Sequence, residues 1–358
     1  MAHAIEFNIT EKLSFPVEKQ PIHLRPNNLK GENKMSRTLI NILTAITILF
    51  SGHTLAQLTP YQQAAKIRGI MLFKQYKPAE SELRVAAEAG DSEAQFYLAD
   101  ELRQQKQRMT VEAQKWYEAS ASQGDYYAMF KLATTSGDLC SVINQCPPGS
   151  KKPSEWLDLL IKTATPRAVS GDAEAMAILY NATAELKWLE KSAAAGYAPS
   201  QWLLANRYAE GEGTFLLPWK RKNTEEELLK SASEGGYPPA MIEYISILFQ
   251  RNDLESVRYW WEVAAKTGYQ AAVASYGAYL SHTPDKVGYT IDLVKGYALV
   301  SLLKELDGGG NIQAYVEGKL PQIAEKMTPA QIEEAKKYAI EWKATHPPLS
   351  FFPEKIGF

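Results

Sequence analysis

From about residue 78 to 343, the chain is built of amphipathic runs that close on one recurring signature. An Ala-rich stretch ends in Gly, an acidic or aromatic residue follows, and a new run begins. The signature stands at Ala86 to Asp91, Ala119 to Asp125, Gly171-Asp172, Ala193 to Tyr197, Ser231 to Tyr237 and Ala264 to Tyr269. The steps between its glycines, from Gly90 through Gly124, Gly171, Gly196 and Gly236 to Gly268, are 34, 47, 25, 40 and 32 residues. They scatter around the length of a helix–turn–helix repeat. A glycine after an Ala-rich run suits the left-handed position that closes a helix. Pro199, Pro238 and Pro239 follow such glycines, and proline is tolerated in a first helical turn.

A second spacing lies inside the runs that follow. A small residue is succeeded four places on by an apolar one, and at five by a small or apolar one. Examples are Ala94/Leu98/Ala99, Ala128/Leu132/Ala133, Ser200/Leu204/Ala205, Ala240/Tyr244/Ile245 and Ala272/Tyr276/Gly277. Positions i and i+4 share a helix face, and small residues there let a neighbouring helix come close. The partner runs carry aromatics before their Ala-rich ends: Trp116-Tyr117, Trp188, and Tyr259-Trp260-Trp261. All of these read as core. The pattern predicts an all-α array of helix pairs over 57–345.

Four segments depart from the array. Residues 137–153 hold Cys140, Cys146 and Pro147-Pro148-Gly149 and read as an inserted loop. The stretch 346–358, with Pro347, Pro348, Phe351, Phe352 and Pro353, is too proline-rich for helix. It reads as an extended strap over the last helices or as a disordered end. Near the start, Met35-Ser36-Arg37, the apolar run Leu39 to Phe50 and the small residues up to Ala56 read as a secretory signal peptide cleaved after Ala56. A membrane anchor is the rival reading, but twelve residues fall short of the roughly 20 that span a bilayer. Residues 1–34 read as an upstream extension outside the fold.

Composition then narrows the chemistry. The 358 residues carry 39 Lys plus Arg against 41 Asp plus Glu, a net charge of -2, so nucleic acid is not an expected partner. Five His and two Cys are few for this length. Removal of the leader takes three of the histidines and leaves His282 and His346. Export to the periplasm, an oxidising compartment, makes a Cys140–Cys146 disulfide the expectation. No metal site, cofactor or catalytic residue is expected. His282 reads as a helix C-terminal histidine, and Gly211-x-Gly213 as a repeat turn, because it lacks the strand and third glycine of a nucleotide loop.

Two stretches carry a family likeness. Tyr208-Ala209-Glu210-Gly211-Glu212-Gly213, preceded by Ser200/Leu204/Ala205, resembles the first-helix motif of the Sel-one-like repeat (SLR) family. Trp116 to Gly124 resembles that family's second helix. Asp292 to Val300 and Met327 to Ala335 resemble its closing elements. The resemblance implies a right-handed α-solenoid related to tetratricopeptide arrays. In its architecture of leader, degenerate repeats and closing element, the chain also resembles periplasmic immunity proteins against phospholipase D-type effectors of type VI secretion. That resemblance implies a protein partner and no catalysis. An envelope scaffold and a cell-wall-acting hydrolase are the alternatives.

A solenoid's inner face is an extended binding surface. Positions one, two and six after the small residue are expected to face away from the pair's core. They include Phe96, Asp100, Phe130, Trp202 and Asn206. Aromatics at this spacing suit a core as well as an interface, and both readings stand. Trp219 and Arg221, in the Gly213–Asn223 loop, are further candidates for partner contact.

Overall fold

The helices begin and end where glycine, aspartate and proline place them. In the computed structural model, which describes residues 58–306, 311–351 and 355, the six signature glycines all adopt positive φ, between 79° and 102°. The aspartates that follow three of them cap the next helix: Asp91, Asp125 and Asp172 accept from the backbone N–H of Ala94, Ala128 and Ala175 at 2.8, 2.9 and 3.0 Å. Each cap satisfies a donor that a helix N-terminus leaves without an intrahelical partner. Where tyrosine follows instead, at Tyr197 and Tyr237, a proline lies at one of the first two helical positions.

The helices pair in chain order. Helix α1 (Pro60–Lys74) packs on α2 (Glu80–Glu88), and α3 (Ser92–Lys106) on α4 (Val111–Ser122). Next, α5 (Tyr126–Ala133) leads past the short α6 (Leu139–Val142) to its partner α7 (Pro153–Val169). The series continues with α8 (Ala173–Thr183) and α9 (Leu186–Ala194), then α10 (Ala198–Ala209) and α11 (Pro218–Glu234). It goes on with α12 (Pro238–Gln250) and α13 (Leu254–Lys266), then α14 (Gln270–Leu280) and α15 (Leu293–Leu302). Helices α16 (Ile312–Ala324) and α17 (Pro329–Thr345) both pack on α15 and end the array. Among the described residues there is no strand, and the fold is an all-α solenoid.

The small-residue faces lie at the contacts, as the spacing predicts. Ala94, Leu98, Ala99, Ala128, Ala240 and Ala272 are fully buried. One core cluster runs from Phe73 to Leu179 and another from Ala198 to Trp342. A smaller one around Tyr180, Leu189, Leu204 and Tyr208 overlaps the start of the second in sequence.

Cys140 and Cys146 form a disulfide within the inserted loop. Asp138, two residues before it, is buried. It accepts from the N–H of Met109 at 2.8 Å, from the N–H of Cys140 at 2.9 Å and from Arg103 Nε at 2.7 Å. The insertion is thus pinned to the α3–α4 pair.

The strap reaches further than the sequence predicts. It leaves α17 and passes Gly268, where Ser350 N donates to the Gly268 carbonyl and Gln270 N donates to that of Ser350, both at 2.9 Å. There Gly268 has φ +79°, and a Cβ would lie 2.6 Å from the Pro348 carbonyl, so no other residue fits. The strap then crosses to the first helix: Phe351 N donates to the Lys74 carbonyl and Gln75 Nε2 to that of Leu349, each at 2.9 Å. The Phe351 ring lies 4.9 Å from that of Tyr76. Met71 and Leu72 line a cleft with Leu302 and Trp342, so the two ends of the array face one another. The leader 35–56, the extension 1–34 and the Gly308-Gly309-Gly310 connection lie outside the described residues.

Candidate functional site

The first helices of successive pairs, α3, α5, α8, α10 and α12, form a row, and Lys355 lies at its start. Lys355 places its Nζ 5.6, 5.8 and 5.0 Å from the ring centroids of Phe96, Tyr97 and Tyr127. It also stands 4.0 Å from Glu93 Oε1. Beside it a cleft of about 170 Å³ is lined by Tyr127, Glu174, Asn181, Tyr197 and Leu203. Tyr127 and Tyr126 donate to the Glu174 carboxylate at 2.5 and 3.3 Å. Burial first, then the neighbouring negative charge of Glu174, raises the pKa of Tyr126. Tyr127 is raised too, by burial first and then by its contacts with Tyr197 and Glu174. Both phenols remain donors at every physiological pH.

Further along the row, Trp202 and Asn206 meet Glu243 of α12. Trp202 Nε1 donates to Glu243 Oε1 at 2.7 Å, and the Asn206 amide donates to Oε2 at 3.2 Å once its oxygen and nitrogen are assigned by this network. Burial raises the Glu243 pKa, and the two donors oppose that shift. Trp202 is half-buried and tilts against Tyr237 at 5.6 Å. Sequence reasoning named Trp202 and Asn206 but missed Glu243, three positions after Ala240 in the next repeat. The signal was that Ala240 opens the same spacing as Ser200.

The expectation for position one of the first helices is corrected in three of the four, while Gln201 is half-buried. Gln95, Met129 and Met241 are buried. A helix inside an array is covered by the pair before it and the pair after it, so its buried arc is wider than the stripe of an isolated pair. Two named candidates change role for the same reason. Phe96 is fully buried, ringed by Tyr97, Tyr117 and Tyr127. Asp100 is buried as well: it accepts from the Tyr117 hydroxyl and pairs with Lys131 at 3.6 Å. Phe130 is half-buried against the first core cluster.

Arg221 is corrected too. Its guanidinium donates to the backbone carbonyls of Tyr208 at 2.8 Å, Glu212 at 2.5 Å and Gly213 at 3.2 Å, and lies over the Phe215 ring. It holds the loop together and is not free for a partner. Trp219 keeps its candidacy: it is 60 % exposed, next to Leu216 at 94 % and Leu217 at 46 %. His282 Nε2 lies 2.8 Å from the Tyr289 carbonyl, and His346 stacks on Trp342. Among the described residues, no group of three or more His, Cys, Asp or Glu stands where it could hold a metal. No described helix is long and apolar enough to cross a membrane.

Comparison with known proteins follows the same lines. The chain resembles a protective antigen of uropathogenic Escherichia coli strains that displays an SLR fold. The two are 19% identical with a TM-score of 0.44, over 80% of this chain and 62% of the other, so the chain spans under two thirds of that protein. It also resembles a Sel1 repeat protein from Oxalobacter formigenes, at 18% identity and a TM-score of 0.37, over 69% of this chain and 98% of the other. No protein-family model and no curated protein matches it. The solenoid assignment therefore stands on the helix pairs themselves.

Proposed function

We propose that the chain is a protein-binding solenoid of the bacterial periplasm, and that it serves as an immunity protein against a lipase effector delivered by type VI secretion. One observation carries the binding reading. The array already holds extended polypeptide of its own, residues 349–351, through backbone hydrogen bonds at Gly268, Gln270 and Lys74, and the start of the first-helix row holds Lys355 over aromatic rings. Extended chain laid on a preformed surface is a recurring mode of protein recognition. The periplasmic placement is supported by the reading of residues 35–56 as a signal peptide and by the Cys140–Cys146 disulfide, which suits an oxidising compartment. The lipase-effector role is supported by the architectural resemblance alone.

In this role the solenoid covers the toxin's active site and has no catalytic step of its own. Cells lacking the protein are expected to lose viability when a phospholipase D-type effector is directed to their periplasm, and the intact gene restores it. A Trp202→Ala, Trp219→Ala double variant restores it poorly. Trp219 is 60 % exposed and contributes little to the core, and the loss of a buried aromatic anchor from an interface costs about 2 kcal/mol or more, roughly 30-fold in affinity. Equal survival with and without the gene removes the immunity reading. Stable complexes with housekeeping envelope proteins instead would move the chain to the scaffold class.

A further inference from the structure

We propose that the aromatic and acidic site at the start of the first-helix row takes a lysine side chain from an extended segment of the partner protein, and that the chain's own Lys355 occupies this site until the partner displaces it. This rests on the protein-binding reading above and names the chemistry that the partner must bring.

Three rings, those of Phe96, Tyr97 and Tyr127, surround the Lys355 ammonium within 5.0 to 5.8 Å. Aromatic faces attract a cation through their quadrupoles, most strongly where water is excluded. Carboxylates complete the selection for positive charge. Glu93 stands 4.0 Å from Nζ. Glu174 lines the same cleft, and Asp125 lies close enough to feel the Lys355 charge. Phe96 and Tyr127 are buried and packed on one another, and Phe96 also meets the Tyr117 ring, so the core positions these rings.

The tail is held unevenly. Residues 349–351 are fixed by four hydrogen bonds that involve backbone groups of Gly268, Gln270, Lys74 and the strap itself, with Gln75 contributing one donor. Lys355 is held by its ring contacts and one ion pair at the outer limit of distance. Lys355 is therefore the exchangeable contact, while residues 349–351 stay bound. The 170 Å³ cleft beside Lys355, with Glu174, Asn181 and Tyr197 on its walls, leaves room for residues next to an incoming lysine. An internal competitor lowers the apparent affinity of any external ligand by the fraction of chains in which the site is closed. Tethering supplies that competitor at millimolar effective concentration.

The test uses the full chain and a labelled peptide of residues 349–358. The peptide is titrated by fluorescence anisotropy onto the wild-type chain and onto the full-length Lys355→Ala variant. Melting curves of both verify the fold. The variant is expected to bind the peptide at least about tenfold more tightly than the wild type. A peptide carrying Lys355→Ala should lose about tenfold or more on the variant chain. Equal affinity for both chains, or indifference to the peptide's lysine, overturns the proposal. A wild-type dimer that the peptide dissolves would also overturn it, because the occupant would then be a second copy's tail. If the peptide behaves as expected but no protein partner is recovered, the site stands and the immunity reading fails. If a partner binds and the peptide does not, the reverse holds.

Discussion

Replacing Asp138 with alanine is expected to destabilise the chain by about 3–5 kcal/mol. One buried carboxylate satisfies three donors: the N–H groups of Met109 and Cys140, and Arg103 Nε. Alanine leaves two backbone donors and a half-buried guanidinium without their acceptor. The two orphaned amides account for most of the cost, about 1–3 kcal/mol each less whatever water recovers, and the Arg103 guanidinium, 34 % exposed, adds less because water solvates it in part. Asp138→Asn should cost roughly half as much, because its oxygen still accepts from the backbone while the ion pair is lost. Thermal melts of the three proteins check the order.

The same residue predicts an acid limb. Burial alone raises the Asp138 pKa, but the bonds from Cys140, Met109 and Arg103 together hold it below the ordinary value of 3.8. A depressed carboxylate pKa adds stability that is complete above the unfolded value and is lost as pH falls through the folded one. Wild-type stability should therefore drop below about pH 4, and the Asp138→Ala curve should be flatter over that range.

Gly296→Val is expected to cost about 3 kcal/mol, at the upper end of the overpacking range. Helices α14 and α15 cross at Gly277 and Gly296. A Cβ on Gly296 would lie 2.8 Å from the Gly277 carbonyl oxygen and 3.0 Å from the Ser281 amide nitrogen. Both are backbone atoms, which cannot turn aside as a side-chain end can. The helices must separate, and the closing element, with α16 and α17 packed on α15, separates with them. Gly318→Ala in α16 is the control. Its Cβ would meet nothing within 4 Å, so the helix gains about 0.5–1 kcal/mol from the better helix former. Opposite signs from two helical glycines in neighbouring elements can be read in one set of denaturant titrations.

Much of this fold is local and therefore legible in sequence. Gly90 and Gly124 mark helix ends through a backbone conformation that glycine adopts without strain, and Asp91 and Asp125 mark the next starts through a hydrogen bond three residues on. The Ala94/Leu98/Ala99 spacing gives the packed face because the helix period is fixed. Cys140 and Cys146 pair within one loop. What was not legible depends on neighbours far along the chain. Whether Phe96 lies in core or interface is decided by Tyr117 and Tyr127 on other helices. Asp100 looked like a solvated carboxylate until Tyr117 was placed above it. The strap's bond from Phe351 to Lys74 joins residues 277 apart, and Lys355 lies over rings 228 to 259 residues before it. No local signature carries such a contact. For the candidate site, Trp202 and Asn206 could be named, whereas Glu243, Glu93 and the tail could not.

The central claim is that the first-helix row is the protein-binding surface. A photoreactive phenylalanine analogue placed at single positions in the exported chain, in producing cells, tests it most directly. Trp202 and Ser246 lie on first helices of the row, and Lys162 lies exposed on α7, a second helix. The account predicts that illumination joins one and the same protein to the chain from positions 202 and 246, and none from 162. An adduct from position 162 alone, or equal adducts from all three, would contradict it.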